Sequence, residues 1–160
     1  MNINNSDYTI LIVDDVDANV LLLKLLISKV GYKTLTAYNG KEALSIIEQS
    51  KPDLILLDIM MPIMDGHEVA KRLKEMPGCS DIPIIFLSAL NSTDDIIKGF
   101  QMGAADYVSK PFNKDELLTR INHQISLIYA TRTISQQTEE LKRTIIGRDK
   151  LYSVIAHDLR

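Results

Sequence analysis

The sequence predicts an α/β fold: a doubly wound, five-stranded parallel sheet with a long C-terminal helical extension. Three observations predict it. Short apolar runs rich in β-branched residues alternate with helix-periodic stretches from residue 9 onward. The runs TILIV (9–13), DLILL (53–57) and IPIIFL (82–87) are apolar on both faces, as parallel strands covered by helices on each side must be. Polar residues gather just beyond the ends of these runs, where open parallel sheets bind their ligands.

The elements follow in order. TILIV is the first strand. DANVLLLKLLISKV (17–30) is a helix ending at Gly31, with Asp17 expected as its N-cap or first-turn acid. YKTLTA (32–37) is the second strand. GKEALSIIEQS (40–50) is the second helix, with Ala43, Leu44 and Ile47 on one face. The third strand, 53–57, leads through MMPIMDG to a helix at 65–76 that Pro77 and Gly78 stop. Asp65 and Gly66 shape the turn into it. After the fourth strand, 82–87, STDDIIKGFQMG (92–103) is a helix with an acidic first turn. DYV (106–108) is a short fifth strand, and NKDELLTRINHQI opens a fifth helix near Asn113.

Composition narrows the function. A net charge of −3 gives no general attraction for nucleic acid. The longest apolar runs, such as LILL at 54–57, are too short to span a bilayer, and the N-terminus lacks a signal-peptide pattern. A single cysteine, Cys79, excludes an internal disulfide framework and a thiolate zinc site, so a cytoplasmic setting is expected.

The first strand ends at Asp14 and Asp15, the third at Asp58, the fourth at Ser88 and the fifth near Lys110. Three converging carboxylates repel, and desolvation adds to the cost. A hard divalent cation relieves it. Oxygen ligands without His or Cys favour Mg²⁺, or Mn²⁺, over zinc. Mg²⁺ also accepts phosphate oxygens, and an aspartate can carry a phosphoryl group as an acyl phosphate. Asp58 is the candidate nucleophile, with Lys110 and Ser88 placed to hold phosphoryl oxygens. Pro111 is expected to fix the backbone that aims Lys110, with a cis bond as one option.

IVDD (12–15), LILLDIMMPIMDG (54–66), FLSA (86–89) and DYVSKPF (106–112) together resemble the receiver domain of two-component response regulators, over residues 8–128. The resemblance implies strand order 2-1-3-4-5, the flavodoxin-like arrangement. It implies that Asp14, Asp15, Asp58 and the backbone carbonyl of Met60 hold Mg²⁺. It implies that Asp58 accepts phosphate from a histidine kinase or phosphotransfer protein, and that Ser88 and Lys110 bind the phosphoryl group. Tyr107 matches the aromatic residue that reorients as Ser88 moves, and helix 4, strand 5 and helix 5 form the signalling face.

Beyond the receiver, Leu127, Thr131, Ile134, Thr138, Leu141, Ile145, Arg148, Tyr152, Ile155 and Leu159 form a heptad-like stripe. It predicts that the fifth helix continues outward and pairs in a homodimer through residues 127–159. Thr131, Thr138 and Arg148 weaken the seam, and Gly147 is a candidate break or hinge. KLYSVIAHDLR (150–160) resembles the H-box that opens the dimerisation and phosphotransfer domain of sensor histidine kinases. His157 matches its phosphorylated histidine and Asp158 the adjacent acid. The expected organisation is thus an N-terminal tail (1–7), a receiver (8–128), a coiled-coil-like linker (129–147) and the truncated start of a phosphoacceptor domain (148–160). The intact protein is expected to continue into a catalytic domain. These residues contain no Gly-rich nucleotide loop, so they should not phosphorylate His157 from ATP.

Other readings compete. The tail can be a non-catalytic dimerisation or partner-binding arm. The chain can be an Mg²⁺-dependent phosphatase with an aspartyl nucleophile, although that class normally has a general acid two residues after the nucleophile, where Met60 stands. Or the acidic pocket belongs to an unreactive adaptor. A DNA-binding motif is not seen in the tail.

Overall fold

The computed structural model of the chain describes residues 3–89 and 93–148. After a 3₁₀ turn at Asn5–Asp7, strands and helices alternate: β1 (Thr9–Val13), α1 (Asp17–Lys29), β2 (Lys33–Ala37), α2 (Gly40–Gln49), β3 (Leu54–Asp58), α3 (Gly66–Glu75), β4 (Ile84–Ser88), α4 (Thr93–Gln101), β5 (Asp106–Ser109) and α5 (Lys114–Arg148). The sheet has the order β2-β1-β3-β4-β5 with every pair parallel. The expected doubly wound, flavodoxin-like sheet is the observed one.

Period-2 alternation sends β1, β3 and β4 side chains into two layers. Leu11, Val13, Ile55, Leu57, Ile84 and Phe86 pack with Ala43 and Ile47 of α2 and Val69, Ala70 and Leu73 of α3. Their neighbours Ile10, Ile12, Leu54, Leu56, Ile85 and Leu87 are equally buried and face the opposite layer. There α1 buries Val20, Leu23 and Ile27, and α5 buries Leu117, Ile121 and Ile125. The Tyr32 hydroxyl donates to Asn122 Oδ1 at 2.6 Å and ties α5 to the turn before β2.

Some boundaries differ from the sequence reading. β4 begins at Ile84 rather than Ile82: Ile82 donates its N–H to Cys79 in the preceding turn, and Pro83 has no N–H to give a ladder. Asp17 lies in the first turn of α1, but the N-cap is Val16, which makes no side-chain cap bond. Asp65 does cap α3, accepting from Glu68 N at 2.9 Å. Gly147 does not break α5, which continues through it to Arg148.

The chain divides into two units, one spanning Met1–Ile125 and the other beginning at Ser126. In the second unit Leu127, Ile134 and Leu141 are 48%, 64% and 61% exposed. The expected phosphoacceptor residues His157 and Asp158 lie outside the described residues. Among the described residues no helix is long and apolar enough to cross a membrane.

Candidate functional site

Strand register assembles the site. Val13 pairs with Leu57, so Asp14, the next residue, stands level with Asp58. Asp58 pairs with Leu87, which sets Ser88 one step beyond. Ser88 pairs with Ser109, and Lys110 follows. Residues as far as 96 positions apart in sequence thus share one end of the sheet because its parallel strands end together.

Carboxylate oxygens of Asp14, Asp15 and Asp58 lie within 4.8 Å of one another. Asp14 and Asp58 are buried, at 0% and 2% exposure, whereas Asp15 is open to solvent. Lys110 reaches between the buried pair, with Nζ 3.0 Å from Asp14 Oδ2 and 3.2 Å from Asp58 Oδ1. Its own backbone N–H donates to the Ser88 carbonyl at 2.9 Å. The Lys110–Pro111 bond is cis. The lysine also stands 6.0 Å from the centre of the Phe112 ring.

Burial and the nearby Asp14 charge push the Asp58 carboxyl up from 3.8 to about 6, with Lys110 pulling the other way. Burial alone would lower the Lys110 ammonium, but its bonds to Asp14 and Asp58 prevail and raise it. Two buried carboxylates and one shared ammonium leave excess negative charge, to which exposed Asp15 adds. That surplus and an all-oxygen donor set suit a hard divalent cation.

The loop after β3 fixes Asp58 by backbone contacts. Ile59 N donates to Leu87 O at 3.1 Å, and Gly66 N returns to Ile59 O at 2.8 Å. A Cβ on Gly66 would press on the Asp58 carbonyl oxygen and come within 2.8 Å of Ile59 Cα, so only glycine admits this approach. Ile63, in the same loop, has a φ of 71° and is fully exposed. Met60 N lies 3.3 Å from Asp58 Oδ1, and the Met60 side chain is largely exposed. Ser88 is buried beside the cluster, and Tyr107 is half-buried on β5 against the core.

Sequence reasoning missed Asn19. Its side-chain amide donates to Asp14 Oδ2 at 3.2 Å, while Val16 N donates to Asp14 Oδ1 at 2.9 Å. Both aim the Asp14 carboxylate. The available signal was an amide two residues into α1, one helical turn beyond the strand end.

Comparison with known proteins agrees with this arrangement. The family model for the response regulator receiver domain matches residues 10–122. The chain is 38% identical over 140 residues to response regulator GtcR of Aneurinibacillus migulanus, covering 88% of this chain and 57% of that protein. Response regulator PleD of Caulobacter vibrioides is 41% identical over 112 residues, which cover 70% of this chain and 25% of that protein, so the chain spans only part of the length of these curated relatives. A putative response regulator from Chloroflexus aurantiacus superposes with a TM-score of 0.71 at 36% identity, over 74% of this chain and 98% of the other. The signal receiver domain of a signal transduction histidine kinase from Syntrophus aciditrophicus superposes with a TM-score of 0.69 at 34% identity, over 74% and 90%. Receiver domains take phosphate from histidine kinases or phosphotransfer proteins and bind Mg²⁺ at a cluster of acidic residues, which here is Asp14, Asp15 and Asp58. The chain therefore belongs to the response regulator receiver domain family of two-component phosphorelay signalling.

Proposed function

We propose that the chain accepts a phosphoryl group on Asp58 and uses it to regulate a histidine kinase module whose own acceptor is His157. The observation that carries the acceptor assignment is Asp58 itself: a buried carboxylate at a sheet end, 3.2 Å from a lysine ammonium and beside two further carboxylates. Asp14, Asp15, Asp58 and the Met60 carbonyl would hold Mg²⁺. The cation, when bound, neutralises charge on the phosphoryl oxygens.

The chain's residues then have distinct tasks. An Asp58 carboxylate oxygen attacks the phosphorus of a phosphohistidine. The O–P bond forms as the P–N bond breaks, and the leaving imidazole takes up a proton. Lys110 moves from its carboxylate partners toward a phosphoryl oxygen, and the Ser88 hydroxyl donates to another. Tyr107 reorients as Ser88 moves and reports phosphorylation to the face formed by α4, β5 and α5.

The downstream reading rests on the H-box resemblance at residues 150–160 and on a solved relative that is the receiver domain of a histidine kinase. The receiver (8–128), linker (129–147) and H-box-like segment (148–160) would then form a cytoplasmic input module, homodimeric through residues 127–159. Phosphorylation of Asp58 shifts that dimer between two states and changes access to His157. A second reading keeps the receiver and makes the helix a non-catalytic partner-binding arm. The exposed apolar positions on α5 suit either. A phosphatase is disfavoured by the thioether of Met60, which has no proton to donate to a leaving group.

Intact mass after incubation with Mg²⁺ and a small acyl-phosphate donor tests the acceptor. One added phosphoryl group is expected on the native chain and none on Asp58→Asn or in EDTA. Equal labelling of Asp58→Asn would sink the assignment. The kinase reading is tested separately, by transfer of label from a phosphorylated His157 in a longer protein carrying the catalytic domain.

A further inference from the structure

We infer that Asn19 is a positioning residue for phosphoryl acceptance: its amide holds the Asp14 carboxylate in place when Lys110 leaves it. This rests on the acceptor reading of Asp58 above and deepens it. Lys110 Nζ is shared by two carboxylate oxygens, Asp14 Oδ2 at 3.0 Å and Asp58 Oδ1 at 3.2 Å. Each of these oxygens has a second donor, and each second donor is neutral. Asn19 Nδ2 lies 3.2 Å from Asp14 Oδ2, and Met60 N lies 3.3 Å from Asp58 Oδ1. The two differ in kind. Met60 N belongs to the backbone and is present whatever the side chain. The second donor to Asp14 is a side chain, so the residue at 19 decides whether it exists.

Helix formation does not account for Asn19. It is the third residue of α1, and asparagine is a mediocre helix former. A capping asparagine accepts a backbone N–H through its side-chain oxygen. Here the amide nitrogen faces Asp14, because an ionised carboxylate only accepts. Val16 N donates to the other oxygen, Asp14 Oδ1, at 2.9 Å. The start of α1 therefore holds both oxygens of a fully buried carboxylate without using the lysine.

Neutrality suits the chemistry. Lys110 is repelled by a cation in the acidic cluster and drawn away by phosphoryl oxygens. Either event takes it from Asp14 Oδ2, and a buried carboxylate oxygen left without a donor is costly. Asn19 offsets that cost without adding positive charge, so the negative surplus of the site is kept. Before a cation or phosphoryl group arrives, Lys110 also covers this oxygen, and the amide matters less. Asn19 is thus worth more after Lys110 departs than before, and the difference is read as cation affinity and labelling rate.

Calorimetry of the full chain with Mg²⁺ alone tests this. Asn19→Leu removes the amide from a half-buried helical position and keeps a good helix former there. Its Mg²⁺ affinity is expected to fall by about tenfold. In a Lys110→Met background the same substitution is expected to change affinity by less than about twofold, because no ammonium covers Oδ2 before binding. Equal weakening in both backgrounds would mean that Asn19 only shapes the loop, and would overturn the inference. Native Mg²⁺ affinity in Asn19→Leu would overturn it as well. Urea unfolding in EDTA is expected to match the native chain, which shows that affinity is read on a folded protein. Acyl-phosphate labelling of Asp58 at saturating Mg²⁺ is expected to slow by about tenfold too. The acceptor reading is judged on the native chain: if that binds no Mg²⁺ and takes no label, both readings fall. If the native chain does both and Asn19→Leu behaves identically, only the role of Asn19 falls.

Discussion

At the scale of single residues, Ile63 breaks a steric rule that the other described non-glycine residues keep. Among the described residues it alone, glycine aside, has a positive φ, 71°, and its β-branched side chain lies wholly in solvent. A β-branched residue in the left-handed region costs about 1–3 kcal/mol, and an exposed side chain recovers none of that through packing. Ile63→Gly removes the strain and returns part of the gain as unfolded-chain entropy. A net stabilisation of about 0.5–1 kcal/mol is expected in urea unfolding. A loss of stability on this substitution would mean that the isoleucine makes a contact worth more than its strain. The residue scale is also where sequence reading succeeds and fails most visibly. Asp14, Asp58, Ser88 and Lys110 were legible because each stands at the end of an apolar run, and parallel register does the rest. Asn19 and the left-handed Ile63 were not, because a hydrogen bond across five residues and a backbone angle leave no periodic trace.

At the scale of elements, the β3–α3 connection shows how a backbone contact supports a side chain. Gly66 opens α3 directly against the end of β3. A methyl group there meets main-chain atoms of Asp58 and Ile59, which cannot rotate away. Gly66→Ala is expected to cost about 2–3 kcal/mol and to slow acyl-phosphate labelling of Asp58, because the strand end must shift. Gly78 is the control. It is also glycine, with a φ of 76°, but nothing lies within 4 Å of an added Cβ. Gly78→Ala is expected to cost about 1 kcal/mol from the backbone angle alone and to leave labelling unchanged. Equal labelling rates in the two variants would show that Gly66 serves folding only. Most elements were legible in the sequence by period and by turn residues and stops such as Gly31, Asp65, Gly66 and Pro77, whereas the Asn39 and Asp65 caps emerge from the structure. The start of β4 was not, because Ile82 is as apolar as a strand residue and only its hydrogen bond to Cys79 assigns it to the turn.

At the scale of the whole molecule, the acidic site sets stability against function. Folding raises the Asp58 carboxyl from 3.8 to about 6, so the folded chain binds a proton there more tightly than the unfolded chain does. The sign follows from linkage: without a cation, stability rises as pH falls from about 6 toward 4, and the folded state carries the full penalty above pH 6. The ceiling on that penalty is about 3 kcal/mol, and pairing with Lys110 and rearrangement of the coupled site reduce what is observed. Asp58→Asn should therefore stabilise the metal-free protein at pH 7 by about 1–3 kcal/mol and abolish this part of the pH slope. Mg²⁺ acts on the same imbalance from the other side. At a hundredfold excess over its dissociation constant it stabilises the folded chain by about 2.7 kcal/mol, and protons compete with it below pH 6. Urea unfolding between pH 4.5 and 8, with EDTA and with Mg²⁺, checks both statements. The native chain should lose stability with rising pH in EDTA and gain it in Mg²⁺, while Asp58→Asn should respond weakly to either. If the substituted chain keeps the native slope in EDTA, the penalty arises elsewhere. Asp58 would then be an acceptor in position without being the source of the strain that cation binding relieves.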